Sequence, residues 1–302
     1  MFKRTLPAIR WCVIGLLATA VAVAASAQGQ PEQAAPAKGA ADVALKVDLV
    51  KTGLYVITGG GGNSLLRFSA SGSILVDGKL PGSYRALMSQ VRRLSRLSDL
   101  PVRVLVVTDH HENHTGNNAQ FVAAGIPLLA QENARNRLPA YPPPSGKAQT
   151  PIVTFDRDYM LRLGGVEAQL MHFGDAHTNG DTVVYFTNLK VVAVGDLYTP
   201  GTPEPDYSAG GSLVGWGPVL AQILKLDFDV VVPSTGPMVT RADLEAFKTR
   251  IDTLVSRASG LVKSGVTKDQ LMAQLKTDDL GWRFSFTGDQ LDRFYAELSQ
   301  AK

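Results

Sequence analysis

Three histidines, two carboxylates and an amide fall within six consecutive positions, Asp109-His110-His111-Glu112-Asn113-His114, and Thr115-Gly116-Asn117-Asn118 follow them. Imidazole and carboxylate side chains together make the donor set that a borderline divalent ion such as zinc takes, at about 2.0–2.2 Å. The bland reading of such a stretch is a solvated hydrophilic loop, and the rest of the chain argues against it. All five histidines lie between positions 110 and 177, the last of them in Gly174-Asp175-Ala176-His177-Thr178-Asn179-Gly180-Asp181. Further on, Asp196 follows an apolar run, and Pro233-Ser234-Thr235-Gly236-Pro237 closes another. Asp77 also ends an apolar run, where an aspartate is ordinarily a turn residue.

Each of these clusters stands at the end of a segment that reads as a strand. Residues 102–107 are largely β-branched and bounded by polar positions, which predicts a buried strand. A strand delivers its last residues to one edge of a sheet, so the histidines after it converge at a loop. Short runs at 44–50, 54–58, 64–69 and 73–76 predict a β-meander before it, with the glycines at 59–62 making a reversal through positive φ. Leu87, Val91, Leu94 and Leu97 have the spacing of an amphipathic helix over 85–97. A short helix at 119–124, a strand at 127–130, a helix at 132–137 and a rigid proline loop at 141–146 follow.

The second half repeats the plan, with strands at 159–163, 166–172, 182–186 and 191–194, a helix at 213–226 and a strand at 230–232. Helices finish the chain. Their starts carry the capping pairs Thr240/Asp243, Thr267/Gln270 and Thr287/Gln290. Leu244, Phe247, Ile251 and Leu254 form one apolar stripe, and Leu291, Phe294, Tyr295 and Leu298 another. Strands then helices, twice over, predict an α+β fold in which two sheets face each other with helices outside.

Lys3, Arg4 and Arg10 lead into an apolar stretch over 11–25 and then Ala25-Ser26-Ala27, the layout of a secretory signal. The apolar stretch is too short to span a membrane. Cleavage after Ala27 is expected, giving a periplasmic or secreted chain with no stable membrane association. Residues 28–42, mostly Gln, Pro, Ala, Gly and Lys, read as a disordered lead-in, and 43–302 as one domain. The signal takes with it Cys12, the one cysteine, and three of the 30 basic residues, leaving 27 against 27 acidic. A mature chain balanced in this way offers no disulfide, no thiolate ligand and no basic patch for nucleic acid.

Taken in order, the motifs resemble the metallo-β-lactamase superfamily. Its signatures are Thr-His-x-His-x-Asp-His-x-Gly after a strand, then Gly-x-x-His-Thr-x-Gly-Asp, then Gly-Asp, then Pro-Gly-His-Gly-Pro. Four motifs in the right order are specific where one alone would be weak. Leu75-Val76-Asp77 matches the family's turn beneath the metals, and the loop from Asp206 to Ser212 resembles that of secreted, cyclase-like members. The fold implied is an αββα sandwich of two facing mixed sheets, with the metal site at the sheet edges.

Carried over residue by residue, the ligand set is incomplete. Asp109 replaces the family's first histidine, Asn113 its aspartate and Thr235 its last histidine; His111, His114, His177 and Asp196 match. His110 falls on a variable position. The resemblance implies a first metal site of Asp109, His111 and His177, still a competent set for zinc, iron or manganese. The second would be Asn113, His114 and Asp196, with Asp77 and Thr235 behind, and it has lost one anionic and one imidazole ligand. One divalent metal, zinc first, is expected, with the second weak or absent. Asn113 and Asp196 are the catalytic candidates, Asn113 orienting water and a carboxylate taking its proton. The implied activity is a periplasmic hydrolase of an ester, thioester, lactone or amide in a small-molecule substrate. The alternative is a non-catalytic relative that binds a metal or ligand. His172, five residues before His177, has no assured path into the site.

Overall fold

Alternation and tight turns fold residues 46–76 into four antiparallel strands, β1 (Lys46–Lys51), β2 (Leu54–Thr58), β3 (Ser64–Ser69) and β4 (Gly72–Val76). The structure, a computed structural model, describes residues 44–95, 102–146 and 149–300. The expected export signal and lead-in lie outside the described residues. Helix α1 (Tyr84–Leu94) buries Leu87, Met88 and Val91 and carries the chain to β5 (Val102–Val106), parallel to β4. Next come α2 (Glu112–Thr115), α3 (Asn118–Ala123), β6 (Leu128–Gln131), α4 (Glu132–Arg137) and β7 (Ile152–Phe155), which completes a seven-stranded mixed sheet in the order β1 to β7.

The second sheet contains β8 (Asp158–Leu163), β9 (Val166–Met171), β10 (Val183–Phe186) and β11 (Val191–Gly195). After α5 (Leu213–Ile223) come β12 (Val230–Pro233) and β13 (Val239–Thr240), giving the order β13-β12-β11-β10-β9-β8. Helices α6 (Arg241–Lys263), α7 (Lys268–Gln274) and α8 (Gly288–Gln300) close the chain. The capping boxes at Thr240 and Thr267 are both formed. Among the described residues, no helix is long and apolar enough to cross a membrane.

Period-two alternation sorts the core into layers. Val104 and Val106 of β5 meet Val184, Phe186, Val191 and Ala193 of the second sheet between the two sheets. Leu105, pointing the other way, packs with Leu87 and Val91 of α1 and Phe121 of α3. Val183 and Tyr185 likewise turn outward onto Trp216 of α5 and Phe247 of α6. The result is the expected αββα sandwich. All five residues of β4 and of β11 are buried, because strands covered on both faces need apolar residues throughout. Three elements differ from the sequence reading. β7 and β13 are too short to show alternation, and the histidine stretch winds into the single helical turn α2 rather than staying a loop.

Candidate metal centre

Five strand ends deliver the site. β4 runs into Asp77, which turns back through φ 63° and accepts the backbone N–H and hydroxyl of Thr108 at 2.9 and 2.7 Å. Its Oδ2 also lies 2.8 Å from His114 Nδ1. β5 leads to buried Asp109, whose Oδ1 accepts the His111 N–H at 2.7 Å and so starts the turn that α2 continues. After β9 the backbone turns at Thr178, held by the Asp181 carboxylate, and presents His177. β11 ends at Asp196 and β12 at Ser234, whose hydroxyl bonds Asp196 Oδ1.

These ends bring Asp109, His111, His177 and Asp196 together, with one ligand atom of each within 4.8 Å of all the others. His111 Nδ1 and His177 Nε2 face each other at 3.2 Å, and His177 Nε2 lies 3.5 Å from Asp196 Oδ2. The far nitrogen of His177 is engaged by the Glu204 carbonyl at 2.8 Å, which leaves Nε2 free of its proton. Asp109 Oδ2 is buried and accepts no hydrogen bond. Two ring nitrogens and two carboxylates thus converge on one point, with a buried carboxylate oxygen left without a hydrogen bond, which fits a divalent cation.

The field around the group is strongly acidic. Burial works against charge on His114, yet Asp109, Asp77 and Asp196 hold its pKa well above the ordinary imidazole value. The hydrogen bond to Asp109 raises His111 to about 9 against the opposing pull of burial, and Asp206 adds to it. Burial alone would raise Asp109 and Asp196, but His114, facing both, keeps them below the usual carboxylate range. A recess of about 160 Å³ opens on His177, Asp196 and Trp216. A larger cleft of about 860 Å³ lies between the glycine loop at 59–62 and the turn from Ser234 to Met238.

The sequence profile of the metallo-beta-lactamase superfamily matches residues 57–235, more than half the chain. The chain belongs to the metallo-beta-lactamase superfamily. A 2,4-dinitroanisole O-demethylase subunit alpha from Nocardioides sp. (strain JS1661) is 28% identical over 227 residues, 73% of this chain and 66% of that protein. The chain therefore spans just under two thirds of that relative's length. The metallo-beta-lactamase from Pontibacter korlensis is 20% identical with a TM-score of 0.57, over 69% of this chain and 99% of the other. The metallo-beta-lactamase FIM-1 from Pseudomonas aeruginosa, solved in its mono-zinc form, is also 20% identical with a TM-score of 0.57, over 70% and 96%. At such identity the solved structures speak for the fold.

In this superfamily member the residues expected from sequence separate into two sets. Asp109, His111, His177 and Asp196 make the four-donor group. His114 stands behind it, with Nε2 at 3.1 Å from Asp196 Oδ2 and 3.3 Å from Asp109 Oδ2, and its other nitrogen held by Asp77. Asn113 Nδ2 lies 2.8 Å from His114 Nε2. Thr235 is exposed and lines the large cleft; the side chain on Asp196 is that of its neighbour Ser234. Successive residues leaving a strand point to opposite sides, so only one of the two faces inward. His172 is spent on the Asp181 carbonyl at 2.8 Å.

Sequence reasoning missed four contributors. Ser234 is one. Asn63 fixes the same turn by donating to the Pro233 and Gly236 carbonyls at 2.8 and 2.9 Å. Lys79, buried, donates to the carbonyls of Ile57, Gly59 and Gly62. Asp206 Oδ2 lies 3.1 Å from His111 Nε2 and 3.8 Å from His110 Nε2. Only Asp206 had a signal, its place in a loop already likened to the cyclase-like members.

Proposed function

We propose that this chain is an exported metal-dependent hydrolase that opens an ester, thioester, lactone or amide bond in a small molecule. The convergence of Asp109, His111, His177 and Asp196 on one point carries the reading. These four residues would hold a divalent ion, zinc by the donor set, which would supply Lewis-acid activation of water and of the bond to be broken. One ion is expected, since the other half of the site offers His114 and Asp196 but no anionic side chain at 113 and no imidazole at 235. The basic n-region and apolar stretch ahead of Gln28 support export.

The residues divide the remaining work. Asn113 can orient water by hydrogen bonding but cannot take its proton at neutral pH. That task falls to Asp196 or Asp109, carboxylates whose pKa is depressed and which are therefore weak bases. General-base catalysis is worth about 10²–10⁴-fold when the base is well matched, so turnover here is slow. The reacting bond would sit in the recess on His177 and Asp196. The large cleft, which lacks the four donors but reaches Ser234 beside Asp196, is within the size range of a small-molecule site and would take the body of the substrate.

One observation favours a second reading, a non-catalytic relative that binds a metal or ligand: the Asn113 amide is spent on His114. Metal content of the purified mature chain, followed by turnover of generic esters, thioesters, lactones and amides, separates the two. An activated aryl methyl ether belongs in the panel, because one relative is named for O-demethylation of 2,4-dinitroanisole. Bound metal without turnover of any of them would favour the second reading.

A further inference from the structure

Asp206 is tied to both histidines of the metal group and lies outside the sequence motifs that carry them. Its backbone N–H donates to the His177 carbonyl at 2.7 Å. Its Oδ1 accepts the Ser208 N–H, the Ser208 hydroxyl and the Ala209 N–H at 2.9, 2.6 and 3.1 Å. The remaining oxygen, Oδ2, faces His111 Nε2 at 3.1 Å. The next residue, Tyr207, anchors the turn as well, its hydroxyl donating to Glu297 of α8 at 3.2 Å. The carboxylate is therefore aimed by its surroundings, with one oxygen saturated and the other free for a single partner.

A neutral imidazole carries one proton, and its position decides which nitrogen can be a ligand. His111 Nδ1 points at His177 and Asp109, inside the donor group, and Nε2 points away from it at Asp206. Asp109 Oδ1 stands 3.1 Å from Nδ1, so without an ion both nitrogens face carboxylates and both keep a proton. A divalent ion in the donor group would displace the Nδ1 proton to solvent, and Asp206, an anionic oxygen that can only accept, would keep the other on Nε2. His110, His111 and Asp206 could also be read as a second metal site. That would require His111 to give up both ring protons, and His110 Nε2 lies 3.8 Å from Asp206. The hydrogen bond is the simpler use of the same carboxylate.

We propose that Asp206 is a positioning residue, fixing His111 in the Nε2–H tautomer that presents Nδ1 to the metal. The inference rests on the metal-binding reading above. Partners of this kind typically contribute about 10–100-fold to metal affinity. Asp206→Asn tests it sharply. The amide oxygen is wanted by three donors of the turn, and asparagine caps such turns as well as aspartate does. The NH₂ group is then left facing His111 Nε2, where it demands a lone pair and drives the proton to Nδ1.

Zinc affinity by competition with a chromophoric chelator, with long-range ¹H–¹⁵N correlations of the histidine rings in the zinc-loaded chain, gives the readout. Wild type should show the His111 proton on Nε2. Asp206→Asn, folded by circular dichroism, should lose that protected proton and bind zinc about 10–100-fold more weakly. Asp206→Ser keeps a turn cap without reaching His111 and should weaken zinc as well. Ser208→Ala loosens the same turn, leaves the carboxylate on His111, and should keep wild-type affinity. Equal affinity of wild type and Asp206→Asn would overturn the assignment alone. So would a Ser208→Ala loss as large as that of Asp206→Asn. A wild-type chain that takes up no zinc would instead overturn the metal-centre reading.

Discussion

Asp196 separates two unlike halves of one site. On the His111 and His177 side, each ring has a partner at its far nitrogen, Asp206 or the Glu204 carbonyl, and turns its other nitrogen inward. On the His114 side the far nitrogen is equally well held by Asp77, but the near one faces the Asn113 amide and two carboxylates. The scaffold is present on both sides; the ligands are complete on only one. The donor group draws on three strand ends, Asp109 and His111 after β5, His177 after β9 and Asp196 after β11. Ser234 and Thr235 arrive on a fourth, β12, so that turn can change while the donor group keeps its geometry. The Asp77–Thr108–His114 network also joins β4 to β5, and thus has a structural use that does not depend on a second ion.

The widest break in this comparison comes from removing an inward-facing ring on the complete side. His111→Ala and His177→Ala should each take metal content from near one per chain to near zero, and any hydrolysis with it. The loss in affinity should exceed the roughly 10–100-fold of an outer partner. His172→Ala should leave metal content unchanged, since its ring serves the Asp181 carbonyl. Elemental analysis of the three variants decides it, and equal losses in all three would mean that the ligands are misassigned.

A second test rebuilds the incomplete side. Asn113→Asp with Thr235→His adds an anionic oxygen and an imidazole, and metal content should rise toward two per chain with faster turnover. The exposed position of Thr235 makes this demanding, because the new ring must swing in from the cleft past Ser234 to reach zinc-ligand distance, about 2.0–2.2 Å. A folded double variant that binds no additional metal would show that the turn has drifted, and would favour the non-catalytic reading.

The layers and most elements were legible in the sequence because period-two and helical stripes report directly on burial: Val104, Val106 and Leu105 sort themselves by alternation alone. Order of motifs located the strand ends, and with them Asp109, His111, His177 and Asp196. What stayed hidden was everything set by direction after a strand ends. Ser234 and Thr235 are adjacent polar residues, and only the backbone's exit from β12 says which faces Asp196. Asn63 and Lys79 act on backbone carbonyls, which leave no mark on residue type. Asp206 lies 95 residues from the His111 it touches, a contact that needs both sheets in place.

Asn63 sharpens the comparison at the next level down. It holds the Ser234 turn by two side-chain bonds to carbonyls and donates its backbone N–H to the Ser234 carbonyl at 2.6 Å. Asn63→Ala leaves those two carbonyls without the amide and should cost about 1–3 kcal/mol in urea unfolding. If the halves are as independent as proposed, zinc affinity should change little. A large affinity loss would show that the turn supports the complete side through Asp196.

The smallest expected effect concerns Lys79, which fixes the glycine loop against the incomplete side. Its ammonium donors meet three carbonyls, and Asp77 favours the charge, but burial dominates and draws the pKa down to about 7. An unfolded lysine keeps its proton to about 10.4. Between these values the unfolded chain binds more protons than the folded one, so this group makes the fold more stable as pH rises from 7 toward 10. The slope is at most about 1.4 kcal/mol per pH unit, and smaller to the extent that the carbonyls retain the ammonium form. Lys79→Met removes the titration while keeping much of the side-chain volume. Urea unfolding of both chains at pH 7 and pH 9 isolates it, because His111 and every other group that titrates there is common to the two. Wild type should gain stability relative to Lys79→Met across the window. Parallel curves would mean that Lys79 remains an ammonium ion when buried, and that the loop beside the incomplete half is held by its charge.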